Sequence, residues 1–176
     1  MSDIPAGISS TTAEYADDLA FVFGADSENA CADLAQQGMS RFQTYLDGKG
    51  LQISLDKTKA MLFTSRKSPI YPVLTMSNRP IEFVSHFRYL GMILDGPSLT
   101  WKNHIQVIAG EARKRSNLLK AFSARSWGAD KKMLTNIYKA LILSKINYGG
   151  EFLGVASKES LKTLDVIQNN CLRLIL

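Results

Sequence analysis

The earliest pattern in the chain is short-period. Thr11 to Tyr15 and Leu19 to Phe23 are two β-prone runs rich in Thr, Phe, Val and Tyr, parted by Ala16, Asp17 and Asp18 and closed by Gly24. They predict a hairpin with both aspartates at its tip. The period then lengthens: Ala30, Cys31, Leu34, Ala35, Gly38, Phe42, Tyr45 and Leu46 recur at helical spacing, with Asp26 or Ser27 as N-cap and Gly48 and Gly50 as stops. Leu51, Ile53 and Leu55 alternate with polar residues and Ala60 to Thr64 is a second apolar run, so both are expected as strands flanking a turn. Pro72 to Met76 and Pro80 to Val84, around Ser77, Asn78 and Arg79, predict another hairpin, and Phe87 to Leu94 a further strand interrupted by Gly91.

After Asp95, Gly96 and Pro97 the pattern becomes helical to the last residue. Candidate helices are Trp101 to Phe122, Lys131 to Tyr148 and Lys158 to Leu176, divided by Trp127 to Asp130 and by Gly149, Gly150 and Gly154. Trp101, Leu118, Leu119, Phe122, Leu134, Ile137, Tyr138, Leu141 and Ile142 are expected to form an interhelical core. The fold class is therefore α+β, with an α+β front over residues 1–97 and an all-helical rear over 98–176.

With 176 residues and 45% hydrophobic content, the chain can bury one ordinary core or two small ones in contact. Its most apolar stretch, Met133 to Val155, is broken by Lys139, Lys145 and Glu151, short of the roughly 18 uncharged residues that would span a bilayer. The first residues have neither the basic start nor the apolar core of a signal peptide. No membrane association and no secretion are expected, which leaves an intracellular protein, nuclear or cytoplasmic. Cys31 and Cys171 lie far apart without a Cys or His at metal-ligand spacing and read as buried thiols; His86 and His104 are equally isolated.

Charge is unevenly placed. Residues 1–50 hold 2 basic against 8 acidic side chains, whereas 101–148 hold 10 against 2. An acidic front suits a cation and a basic helical region suits a polyanion, although a solvated helical face accounts for the same charges.

Two adjacent carboxylates on a tight turn repel one another, and a hard divalent cation reverses that cost. Mg²⁺ takes one or two carboxylates together with water and substrate phosphates. An Asp-Asp turn beside an aromatic residue is thus a plausible half-site for nucleotidyl transfer, in which one ion activates a 3′-hydroxyl and another stabilises the leaving pyrophosphate. A Tyr-Ala-Asp-Asp tetrapeptide alone also fits an ordinary acidic surface loop.

The neighbours of that turn sharpen it. Ala13 to Phe21 carries the Tyr-Ala-Asp-Asp run, Gly50 to Lys59 reads Gly-Leu-Gln-Ile-Ser-Leu-Asp-Lys-Thr-Lys, Phe87 to Gly91 reads Phe-Arg-Tyr-Leu-Gly, and Leu99 to Ile105 reads Leu-Thr-Trp-Lys-Asn-His-Ile. These motifs, in this order and continuing through Glu111-Ala112-Arg113 to Gln168-Asn169-Asn170, resemble the C-terminal half of the reverse transcriptases of LINE-type non-LTR retrotransposons, the jockey-like groups in particular. The resemblance implies a partial polymerase palm, with antiparallel strands, the aspartate hairpin and a packed helix, followed by a helical thumb. It implies that Asp17 and Asp18 bind catalytic Mg²⁺ or Mn²⁺ and that Tyr15 lies near the primer terminus. Lys57 would meet the nucleotide or protonate pyrophosphate, the alternative being a solvated strand-edge lysine. Tyr89, Leu90 and Gly91 would grip the primer strand, the alternative being an ordinary bulged strand. Arg113, Lys114, Arg115, Lys120 and Arg125 would meet template-primer phosphates, with RNA or DNA as partner and dNTP as substrate of the full-length enzyme.

Such a polymerase also needs fingers and an earlier strand bearing another metal-binding aspartate, and fourteen residues precede Tyr15. The expectation is a fragment that is inactive alone and holds no tightly bound metal. The other reading is a non-catalytic module that binds nucleic acid or a protein partner.

Overall fold

A computed structural model describes residues 11–123 and 128–176. The chain divides into two compact units, Met1–Ser85 and His86–Leu176.

The first unit opens on two strands, β1 (Thr11–Tyr15) and β2 (Asp18–Val22), paired antiparallel with Tyr15 opposite Asp18 and Thr11 opposite Val22. Ala16 and Asp17 are the two loop residues, and Ala16 takes φ 55°, the left-handed value that tight hairpins use to match strand twist. The expected hairpin is therefore present, with its second strand starting one residue earlier. Helix α1 (Glu28–Lys49) follows, capped by the Ser27 hydroxyl, which accepts from the Ala30 amide at 3.2 Å. Gly50 ends it at φ 67°: its amide donates to the Asp47 carbonyl and the Leu51 amide to the Leu46 carbonyl, closing the helix with a left-handed residue that glycine tolerates best.

Ala35, Gly38 and Phe42 form the buried face of α1. Phe42 meets the Phe21 ring edge-on at 4.8 Å, so the hairpin and the helix share a core with Leu74, Met76 and Ile81. The remaining strands of this unit are two-residue pieces: β3 (Lys59–Ala60) runs parallel to β6 (Glu82–Phe83), and β4 (Thr75–Met76) pairs antiparallel with β5 (Arg79–Pro80). The amide of Gln36 substitutes for a strand neighbour of β4, donating to the Thr75 carbonyl and accepting from the Thr75 amide, both at 2.9 Å.

Two expectations fail here. Leu51 to Leu55 is not a strand: the Ser54 carbonyl accepts from the Lys57 and Thr58 amides and from the Thr58 hydroxyl, a tight turn that competes with any ladder. The alternation instead half-buries Ile53 and Leu55 against the core. Of Ala60 to Thr64 only Ala60 is in a strand.

The second unit begins with β7 (His86–Tyr89) and β8 (Met92–Asp95), paired antiparallel. The single strand expected from Phe87 to Leu94 is thus a hairpin, turned at Leu90 (φ 46°) and Gly91 (φ 81°), and two consecutive positive φ values define a type I′ turn. Helix α2 (Lys102–Phe122) has no side-chain cap at Trp101; Asp95 at the end of β8 accepts from the Asn103 amide at 3.4 Å and from the Thr100 hydroxyl at 2.8 Å. Helix α3 (Lys131–Tyr138), capped by Asp130, runs into a π-helical stretch, Lys139–Leu143, then α4 (Ser144–Ile146), a 3₁₀ turn (Phe152–Val155) and α5 (Lys158–Ile175).

The core of this unit joins Ile105, Ile108, Ala109, Ala112 and Leu119 of α2 to Leu134, Tyr138, Ile142 and Ile146, and to Leu164, Ile167, Cys171 and Ile175 of α5. Leu134, Tyr138, Ile142 and Ile146 are spaced by four, which on a regular helix drifts about 40° per step. The wide π turn absorbs that drift and keeps all four inward. Five of the nine residues expected in the interhelical core, Trp101, Leu119, Leu134, Tyr138 and Ile142, are buried, whereas Leu118, Phe122 and Leu141 are exposed and Ile137 is half-buried. The described elements after Asp95 are all helical, as expected, and the β7–β8 hairpin packs Met92 and Leu94 against their core.

Candidate nucleic-acid interface

The aspartate turn stands on the open side of its hairpin. Side chains alternate along β2, so Leu19 and Phe21 share the face toward α1 while Asp18 and its partner Tyr15 project from the other. Asp17, Asp18 and Tyr15 are all exposed, Tyr15 at 66%. Lys57 is exposed in the Ser54–Thr58 turn, and among the described residues no ion pair or hydrogen bond links it to either aspartate. As a cation site the turn is incomplete: among the described residues no three His, Cys, Asp or Glu side chains converge to hold a metal. Two adjacent carboxylates could each give an oxygen to Mg²⁺, but that donor set falls short of the expected centre.

The second unit concentrates its cations. Arg113, Lys114 and Lys120 line a groove of about 380 Å³ floored by Val166, Ile167 and Cys171 of α5. Arg115, two residues past Arg113, faces elsewhere, since successive helical residues turn by about 100°. It lines a cleft of about 280 Å³ with Arg88, Gly91, Ser144, Lys145 and Tyr148. The basic residues of α2 therefore serve two concavities rather than one stripe. Arg125 lies outside the described residues.

Of the Tyr89-Leu90-Gly91 segment, Gly91 lines that cleft and Tyr89 and Leu90 do not. Tyr148 donates its hydroxyl to the Leu90 carbonyl at 2.6 Å, and a Cβ on Gly91 would meet the Tyr148 Oη at 3.2 Å and Cε1 at 3.3 Å. Glycine is required there twice over, by its φ of 81° and by the ring against it. Lys145 holds Glu111 at 3.0 Å and lies 5.9 Å from the Tyr148 ring centre, and Arg115 donates to the Leu141 carbonyl at 2.8 Å while passing 3.9 Å from Glu111. The Lys145 hydrogen bond, aided by the charges of Lys145, Arg115 and Arg88, holds the Glu111 carboxyl below its ordinary pKa.

Behind the cleft, His104 is 2% exposed and its Nδ1 accepts from the Ile93 amide at 3.3 Å. Burial, reinforced by the Lys145 charge, pushes its pKa down, so the imidazole is neutral. His104 is thus a core histidine tying β8 to α2. Cys171 is fully buried and its thiol is pushed up by burial, as a structural cysteine should be. Cys31 is half-buried, donating to the Phe23 carbonyl at 3.4 Å.

Sequence reasoning missed Arg88, Glu111, Lys145 and Tyr148 as partners in the cleft. Arg88 had a signal in its place inside Phe-Arg-Tyr-Leu-Gly and Glu111 in Glu111-Ala112-Arg113; Lys145 and Tyr148 stand out only once the fold carries them to the hairpin.

The chain thus joins, in sequence, an acidic β-turn to a basic helical unit that bears two concavities. Comparison with known proteins gives it a family likeness. Over 93% of its length the chain is 28% identical to the RNA-directed DNA polymerase from mobile element jockey of Drosophila melanogaster, and over 94% it is 29% identical to the probable RNA-directed DNA polymerase from transposon X-element of the same fly. A Retrovirus-related Pol polyprotein from type-1 retrotransposable element R1 of Bradysia coprophila is 22% identical over 92% of the chain. The resemblance to jockey-like reverse transcriptases thus runs through nearly the whole sequence. The chain spans 18% of the length of the jockey and X-element relatives. No family model and no solved structure matches it. Among the described residues no helix is long and apolar enough to cross a membrane.

Proposed function

We propose that this chain is the palm and thumb portion of a non-LTR retrotransposon reverse transcriptase, inactive by itself, whose second unit holds the backbone of a template-primer duplex. The observation that carries the reading is the cleft, which sets the Leu90–Gly91 turn beside Arg88, Arg115 and Lys145. A turn with that much cationic surface at its rim suits a phosphate backbone, and contacts of this kind are salt-sensitive and indifferent to base sequence. Supporting it is similarity along 93% of the chain to proteins named RNA-directed DNA polymerases. In the complete polymerase, Asp17 and Asp18 would supply carboxylate oxygens to Mg²⁺, and dNTP would be the substrate. Tyr15, on the same face as Asp18, would lie beside the primer terminus.

The test is fluorescence anisotropy of the purified chain with an RNA–DNA hybrid and a DNA duplex at low and physiological salt, alongside dNTP incorporation with Mg²⁺. The expected result is binding to both duplexes at low salt, weakened by salt, with no incorporation. Absence of binding at low salt would refute the nucleic-acid reading. Incorporation that Asp17→Ala abolishes would refute the inactivity.

A further inference from the structure

Two of the cations that line the cleft beside the Leu90–Gly91 turn already hold an anion. The Oε2 of Glu111 lies 3.0 Å from Lys145 Nζ and 3.9 Å from Arg115 Nη2, and the charge of Arg88 also acts on it. The cations come from three separate elements: Arg88 from β7, Arg115 from α2 and Lys145 from α4. Two of them are oriented by contacts of their own. Arg115 is anchored by the Leu141 carbonyl, which belongs to the π-helical stretch, and Lys145 lies near the Tyr148 ring. Tyr148 in turn is fixed to the Leu90 carbonyl.

The arrangement is more than an ordinary surface ion pair. Two cations meet a single carboxylate while Arg88 lines the same cleft, which leaves positive charge in excess, and the Glu111, Arg115 and Lys145 side chains are 39%, 39% and 23% exposed, so a solute anion can reach them. A carboxylate and a phosphodiester present the same chemistry to such a site, two oxygens sharing one negative charge. An arginine fork accepts either, and an exposed ion pair is weak enough to exchange.

Building on the nucleic-acid reading above, we propose that Glu111 is an internal stand-in for a backbone phosphate. It holds Arg115 and Lys145, beside the Arg88 that lines the same cleft, as a preformed phosphodiester seat in the free protein and yields that seat when a nucleic-acid strand lies along the Leu90–Gly91 turn. Preorganisation lowers the cost of ordering long cationic side chains on binding. The same carboxylate competes with the ligand's phosphate for the seat and so limits affinity.

The experiment compares the whole chain with its Glu111→Gln variant, using a fluorescent RNA–DNA hybrid duplex across a salt series. Glu159→Gln, in the first turn of α5 and in none of the ion pairs among the described residues, makes the same change of net charge and serves as control. Circular dichroism confirms that each variant folds. Glu111→Gln should tighten binding by about three- to fivefold at low salt, the weight of one exposed ion pair. It should also steepen the dependence of log K on log salt by up to about one, as for one added phosphate contact. Glu159→Gln should do neither, and Lys145→Ala in the Glu111→Gln background should remove the gain. If the wild type binds and Glu111→Gln behaves as Glu159→Gln does, the seat is overturned while the nucleic-acid reading stands. If neither the wild type nor Glu111→Gln binds at low salt, both are overturned.

Discussion

Replacing Gly91 with alanine tests whether the turn is built as described. Gly91 sits at φ 81°, where an L-residue with a Cβ costs about 1–2 kcal/mol. The new methyl would also lie 3.2 Å from Tyr148 Oη and 3.3 Å from Cε1, so the ring must give way and its 2.6 Å bond to the Leu90 carbonyl must stretch. A hydrogen bond of this kind contributes about 1 kcal/mol. Gly91→Ala should therefore destabilise the second unit by about 2–3 kcal/mol in all. The assay is urea unfolding followed by tryptophan fluorescence, which reports on this unit because Trp101 and Trp127, the two tryptophans, both fall in His86–Leu176. A double-mutant cycle with Tyr148→Ala separates the contributions. Without the ring only the backbone cost remains, so Gly91→Ala should cost about 1 kcal/mol less in the Tyr148→Ala background. Additivity within about 0.3 kcal/mol would show that Tyr148 does not constrain the turn. A Gly91→Ala variant as stable as the wild type would refute the left-handed turn itself.

Two further outcomes follow from the core of the same unit. His104 has a folded-state pKa below its unfolded value, so the unfolded chain binds the extra proton first. Its contribution to stability is complete above about pH 6.5, falls as pH drops through that value toward the lowered pKa, and is absent in His104→Gln; thermal melts between pH 4.5 and 8 should show the loss in the wild type alone. Ile142, fully buried at the π-helical stretch, should cost about 2–5 kcal/mol as Ile142→Ala in urea unfolding, whereas Leu141→Ala, on the exposed side, should cost well under half of that.

The elements that could be read from sequence are those whose signals are local. The Thr11–Val22 hairpin announces itself by a polar break between two β-prone runs, and α1 by an amphipathic stripe between Ser27 and Gly50. The β7–β8 hairpin is harder, because its turn contains Leu90, an apolar residue at positive φ, where Asn or Asp would have signalled a reversal. The Leu51–Leu55 segment misleads for the opposite reason: burying Ile53 and Leu55 alternately needs no ladder when Ser54 closes a turn. Exposure of Leu141 follows from the phase of the π turn, which residue counting at 3.6 per turn does not anticipate, whereas Leu118 lies off the regular stripe of Ile105, Ile108, Ala112 and Leu119 on α2.

The candidate site divides along the same line. Asp17, Asp18 and Tyr15 are consecutive or nearly so, and a tetrapeptide can present them. The cleft is assembled from Arg88, Arg115, Lys145 and Tyr148, two of them paired to Glu111, which only the folded second unit brings together. Arg115 looked like one of a run with Arg113 and Lys114, yet helical rotation sends it to a different concavity.

The Gln36 amide has a consequence for how this chain tolerates change. By making both hydrogen bonds that a neighbouring strand would make to Thr75, a single side chain closes an edge from a helix rather than from a sheet. The two bonds require one donor and one acceptor at fixed positions, a combination that glutamate, with two acceptors, cannot reproduce. Ageing chemistry that hydrolyses this one amide to a carboxylate would therefore unmask the Thr75 carbonyl and leave an unsatisfied strand edge, converting a slow covalent event into a starting point for self-association.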